Sequence, residues 1–303
     1  MQIKYFQSAW NDIKNSENWF GKLCLLALLN FIPIFGQIVT LGYLYGWARE
    51  ISWGVHEPMP AKIFGNEDGK LYRRGWFIFV IAFVFSLIPS IITAIGSSMQ
   101  QVGFYSYLSD EAFSSSGITM TVGSILYFAG IAASLFALVL SWVGYMRSSI
   151  YDRLRAGFQL GKIWKMFRHD TGGILRVLGM YLLVSLILGI ILFIVITVLM
   201  TLVLFAGAAG LASAGVTVDS LEYMSDSEAL QLATQFIASI GLIGFICFLA
   251  IMFIGFAVSM FLEMLVARAM GYWTWQFDVP QWRGQDDPLP FELNQAMPPI
   301  QYQ

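Results

Sequence analysis

The sequence predicts an all-α integral membrane protein: four transmembrane helices, a re-entrant or fifth N-terminal segment, and amphipathic helices on the cytoplasmic side. Three observations lead there. Composition comes first: 57% of the 303 residues are hydrophobic and only 12% are charged, with a mean hydropathy of +0.68. Soluble domains carry about a quarter charged residues. Second, four apolar runs reach or exceed the roughly 20 residues that a helix needs to cross a bilayer. Third, the basic residues are sorted between the loops. The net charge of −2 hides that sorting, so it says little about partners.

Residues 1–19 place Ile3, Phe6, Trp10 and Ile13 at helical spacing, with Trp19 less regularly, among polar side chains. That pattern predicts an amphipathic helix lying in the headgroup zone. The basic–apolar–small order of a cleavable signal peptide is missing, so the stretch is expected to stay on the mature chain. Ser16 stands where a cap for the next helix belongs.

A polytopic domain over 20–270 follows. Its first apolar stretch, 20–47, is interrupted by Pro33 and Gly36, and each half is too short to cross alone. It is either one kinked span or a helical hairpin that enters and returns. Spans are then expected over 76–95, 118–146, 174–205 and 236–266, the last three long enough to tilt. The tail, 271–303, is aromatic at first and then rich in proline (Pro280, Pro288, Pro290, Pro298, Pro299), which rules out a long helix. Its first part is expected on the inner leaflet, and its remainder as an extended partner-binding peptide or plain disorder.

Charge sets the orientation. All 17 Lys and Arg lie before Phe77, between Arg147 and Arg176, or after Val266. Segments 97–120 and 207–235 hold none and carry Asp110, Glu111, Asp219, Glu222, Asp226 and Glu228 instead. By the positive-inside rule those two segments face outward and the basic ones face the cytoplasm. The ten tryptophans agree, since every one falls in or beside a basic segment. With an even number of spans the C-terminus is cytoplasmic, and an N-terminal helix on the same side requires 20–47 to re-enter.

Two stretches, 30–96 and 132–206, suggest an internal repeat. Gly42-Tyr43 and Gly144-Tyr145 each close an apolar run, with Glu50 and Asp152 at the matching offset, and duplication is common among membrane folds. The pattern Ile32-Pro33-Ile34-Phe35-Gly36, then Gly42-Tyr43-Leu44 and Arg49, resembles the prokaryotic membrane proteins grouped as domain of unknown function 4013. Pro58 to Pro60 and the Asp68-Gly69 step match that family's short loop, while Glu50 stands where a second basic residue is usual. The resemblance covers most of 19–200. It implies a polytopic helical protein of a bacterial or archaeal cytoplasmic membrane and assigns no activity.

The residues with chemical interest are few. Gly42 and Gly46, four apart, are small enough to let a second helix approach closely. Arg147, Arg153, Arg155, Lys162, Lys165 and Arg168 alternate with Tyr151, Phe158, Trp164 and Phe167, as in a helix lying on anionic headgroups or a plain topology anchor. Glu263 is the one carboxylate within the expected spans. Near its helix end it can reach water or pair with Arg268, and Arg176 can snorkel. His56 and His169 each adjoin a carboxylate, but two isolated histidines make neither a metal site nor a relay. Cys24 and Cys247 sit in apolar runs and read as packed thiols, not a disulfide. Intramembrane serines, such as Ser86, Ser134 and Ser141, have no base at their depth.

No nucleophile elbow, phosphate loop, zinc-protease motif or dinucleotide fingerprint is present. The expectation is therefore a non-enzymatic membrane scaffold or accessory subunit. It would need no cofactor and no nucleic acid, and its partners would be anionic lipid and other membrane helices, its own copies included. A transporter or lipid-handling protein with a cavity between the repeat halves is the alternative.

Overall fold

A computed structural model describes residues 4–65, 68–108, 113–213 and 225–277. Asp110, Glu111, Asp219, Glu222 and the tail beyond Phe277, with its five prolines, lie outside the described residues. Within them the chain forms α1 (Tyr5–Lys14), α2 (Trp19–Leu29), α3 (Phe35–Ser52), α4 (Leu71–Leu108), α5 (Phe113–Tyr151), α6 (Leu154–Gly157), α7 (Leu160–His169), α8 (Thr171–Ser213) and α9 (Asp226–Trp275).

Four stretches, Leu71–Tyr107, Ser116–Tyr151, Thr171–Gly210 and Ile243–Trp275, are long and apolar enough to cross a membrane. Each contains all or most of one span expected from sequence. They run to 33–40 residues, or roughly 50–60 Å at the helical rise, well beyond a hydrocarbon core of about 30 Å. The 20–47 segment is not one of the four: it is two helices, α2 and α3, separated by a break at 30–34. Ile34 sits in that break at φ 64°, a conformation costly for a β-branched residue. At Gly36 a Cβ would run into the Leu29 carbonyl, so only glycine lets the chain fold back so tightly.

α4 packs along α5, and α8 along α9, while α3 packs against both α4 and α9 and joins the two pairs. Small residues set the spacing of the first pair. Gly96 faces the backbone of Gly123 and Tyr127, and Gly130 faces Thr93. That seam went unnoticed in the sequence because its glycines lie on two different helices. Gly255, four residues before Ser259, faces open space among the described residues.

The buried core lies at one end of the spans, not along them. Trp47, Trp142 and Trp273 are fully buried there with Ile13, Leu26, Leu44, Ile51, Ile78 and Ile81. By contrast, nothing in the most apolar stretch of α8 or of α9 is buried. Lipid is as apolar as leucine, so span faces gain little from burying one another. The layer that contacts water and headgroups gains the full hydrophobic term. α1 docks into that layer through Tyr5, Ala9 and Ile13, leaving Phe6 exposed. Ser16 does not cap α2. Its hydroxyl donates to the Asp12 carbonyl (2.7 Å) and accepts from the Met59 amide (2.9 Å), tying the 53–70 loop to α1.

Candidate functional site

Several of the residues that carried the family resemblance, Gly42, Tyr43, Arg49, Pro60 and Asp68, converge in space. Gly42 lies where any Cβ would meet the Leu71 carbonyl and the Gly75 amide, and at Gly46 a Cβ would meet the Arg74 guanidinium. Gly42 thus sets the α3–α4 crossing, and Gly46 makes room for an arginine. Arg74 Nη1 donates to the Gly42 carbonyl (3.0 Å), and Tyr43 donates to the Pro60 carbonyl (2.8 Å). Arg49 and Arg74 share one carboxylate oxygen of Asp68, Arg49 at 2.5 Å, and Arg49 also lies 4.8 Å from the Trp53 ring. Tyr43, Arg49, Asp68 and Arg74, with Glu50 and Lys62, border a cavity of about 330 Å³.

Two carboxyls of this cluster move in opposite directions. Burial tends to raise Asp68, but the Arg74 cation, the Lys70 amide and Arg49 outweigh it and hold the carboxyl below the usual carboxylate range. Burial raises Glu50 despite Arg49, with Glu57 adding to the effect. A carboxyl depressed in the folded state contributes stability that is present above its unfolded value and is lost as pH falls through its folded one. The 53–70 loop should therefore loosen below roughly pH 4, read as faster amide exchange at Lys70 and a change in Trp53 fluorescence. Asp68→Asn should show the loosened loop already at neutral pH and lose the acid step. An unchanged acid step in that variant would assign it elsewhere.

Arg268 holds a second junction. Its side chain is 1% exposed, with Nε 2.6 Å from Asp12. Nη1 donates to the Trp47 carbonyl (3.1 Å), Nη2 to the Glu57 carbonyl (3.0 Å), and the guanidinium lies 4.1 Å from the Trp47 ring. Tyr272 donates to the same Asp12 oxygen (2.8 Å). One arginine thus joins α9, α1, α3 and the loop. The sequence left Glu263 able to reach water, or to pair with this or another arginine. The carboxylate partner of Arg268 is Asp12 instead, 256 positions away. Glu263 is buried beside Tyr45, and its Oε1 has no hydrogen-bond partner within normal geometry among the described residues. It lies close enough to Tyr45, Tyr145 and Tyr181 to act on them electrostatically, and the Tyr45 and Tyr145 rings meet edge to face at 5.2 Å.

The basic stretch divides. Arg153, Arg155, Lys165 and Arg168 are exposed and Lys162 is half-buried, with α7 turning Ile163 and Met166 inward. Arg147 does not belong to that surface. It is fully buried, donating to the Ala156 carbonyl (3.2 Å) and Gln159 Oε1 (2.7 Å). Its position at the end of a hydrophobic span, where the chain turns back, is what alternation alone misses. Arg176 is exposed near the start of α8. Lys70 and Arg73 both reach Asp152, Lys70 at 3.0 Å, which links the α4 and α5 ends.

Both histidines stand against aromatic rings, His56 by Trp275 (5.2 Å) and His169 by Phe277 (5.5 Å). Among the described residues no three metal-ligating side chains gather. A further cavity of about 400 Å³ lies between α3, α4 and α5 at Pro89, lined by Gln37, Ser86, Ser90, Ser134, Ser141 and Tyr145. Ser86, Ser134 and Ser141 each donate to a carbonyl of their own helix.

One family description, protein of unknown function (DUF4013), matches residues 25–200. No curated protein and no solved structure matches the chain.

Proposed function

For a chain that belongs to the DUF4013 family, more than half of its length being matched, we propose a non-enzymatic role as a membrane scaffold or accessory subunit. Its cation-rich end would rest on the anionic inner leaflet of a cytoplasmic membrane. Its span faces would bind other helices, of partners or of a second copy. The observation that supports this best is the division of burial. The end of the molecule is locked by arginines and tryptophans, whereas the most apolar stretches of α8 and α9 hold no buried residue. A rigid base with open helical faces suits assembly. The exposed Arg153, Arg155, Lys165 and Arg168 would add about 1 kcal/mol each near an anionic surface.

The transporter reading keeps one observation in its favour, the largely apolar cavity beside Pro89 of α4, bordered by several serines and Tyr145. Neither Glu263 nor Arg176 lines it, which leaves it without a charge to couple to an ion gradient. Purification of the full chain in mild detergent, with mass analysis of what accompanies it, separates the two. Co-purifying membrane proteins or a defined self-oligomer are expected. A lone monomer that moves solute when reconstituted into vesicles would overturn the scaffold role.

A further inference from the structure

A groove between α1, the start of α8 and Phe261 of α9 has the shape and polarity of an amphiphile. It encloses about 790 Å³. One end is cationic: Lys4 and Arg176 border it, and neither forms an ion pair among the described residues. Tyr5 and Gln7 stand at the same end. Burial first, and then the Asp170 carboxylate, push the Tyr5 phenol up to about 12, against the pull of Arg176, so at neutral pH it keeps its proton. Asp170 is engaged elsewhere: Oδ1 accepts from the Gly173 amide (2.9 Å) and Oδ2 from Gln276. The other end is apolar, running down α8 past Leu183 and Ile187 to Leu188. From Arg176 to Leu188 a helix rises about 18 Å, the scale of one acyl chain. Leu183 and Ile187 are 59% and 51% exposed, so among the described residues no side chain covers this wall of the groove.

We infer that this groove seats one anionic phospholipid, its headgroup phosphate between Lys4 and Arg176 and an acyl chain along α8. The inference rests on the anionic-leaflet reading above but locates a defined site, apart from the diffuse attraction of α7. Charge complementarity selects the occupant. Two unpaired cations at the mouth of an apolar channel disfavour a neutral helix and match an anion carrying a hydrocarbon chain. α1 closes the headgroup end, so a bound lipid would also fasten the amphipathic helix to the first span it touches.

The test uses the full chain in nanodiscs containing equal parts phosphatidylglycerol and phosphatidylcholine, released into detergent and weighed by native mass spectrometry. The expected result is one retained phosphatidylglycerol per chain. Preference over phosphatidylcholine should fall roughly tenfold or more in a Lys4→Gln/Arg176→Gln variant. Gly179, with nothing within 4 Å of an added Cβ, borders the groove, and Gly179→Leu should expel either lipid without disturbing the fold. Lys165→Gln/Arg168→Gln, on the surface of α7, should weaken binding to anionic vesicles yet leave the retained lipid in place. Equal retention of the two lipids, or none, would overturn the site. Unchanged vesicle binding in the α7 variant would instead overturn the broader leaflet reading.

Discussion

Replacing Arg268 with methionine is expected to be among the most damaging single changes in the protein. The guanidinium is buried and reaches Asp12, two carbonyls and the Trp47 ring. Methionine keeps much of the volume but leaves the Asp12 carboxylate and the Trp47 and Glu57 carbonyls without that donor. Removing one member of a buried ion pair costs about 3–5 kcal/mol, most of it from the charge left behind. The loss should appear as a lowered thermal midpoint in detergent, together with protease sensitivity near Lys14 as α1 detaches. Asp12→Asn retains an acceptor for Nε but strands the buried Arg268 charge, so it should cost a comparable amount. In the double variant Asp12→Asn/Arg268→Met, part of the penalty should be recovered, since no charge is stranded. Purely additive losses would mean that the arginine acts by packing on Trp47 and not through Asp12.

This junction also shows what the sequence could and could not reveal. The spans were legible because membrane insertion is read by length and hydropathy, local properties that need no partner. The break at Pro33 was legible for the same reason: proline acts on its own backbone. Partner choice is non-local. Arg268 has Glu263 one turn or so away, and local spacing favours that pair. The fold brings Asp12 across instead, because α1 docks through Tyr5, Ala9 and Ile13, a face the amphipathic pattern only partly marked. Arg147 was misplaced on the surface by alternation. A charge at the end of a span can turn inward when neighbouring carbonyls, here Ala156, lie within reach. The location of the core is the deepest departure. Hydropathy marks the spans as the most apolar parts of the chain, yet burial gathers at one end of them and in the less apolar segments beside that end. Apolar side chains need cover only where water is the alternative.

The α3–α4 crossing should respond to a single methyl group. At Gly42 a Cβ would strike the Leu71 carbonyl, and at Gly75 it would strike the Ile38 carbonyl, with the Gly42 amide 3.1 Å away. Both obstacles are backbone, so relief requires one helix to shift as a body, and that shift would pull Arg74 from the Gly42 carbonyl and from Asp68. Gly42→Ala and Gly75→Ala should each cost within about 1–3 kcal/mol, and the corresponding leucine variants the upper end or more. Gly255→Ala provides the contrast. Apart from its own helical backbone, no atom of the described residues lies within 4 Å of the new methyl, so higher helix propensity should leave it neutral or up to about 1 kcal/mol more stable. Thermal midpoints of the three alanine variants in one detergent measure the difference directly. If Gly42→Ala and Gly255→Ala behaved alike, the two helices would have to stand farther apart than the glycines imply. The shared Asp68 clamp would then lose its geometric basis, because Arg74 reaches Gly42 only across that short distance.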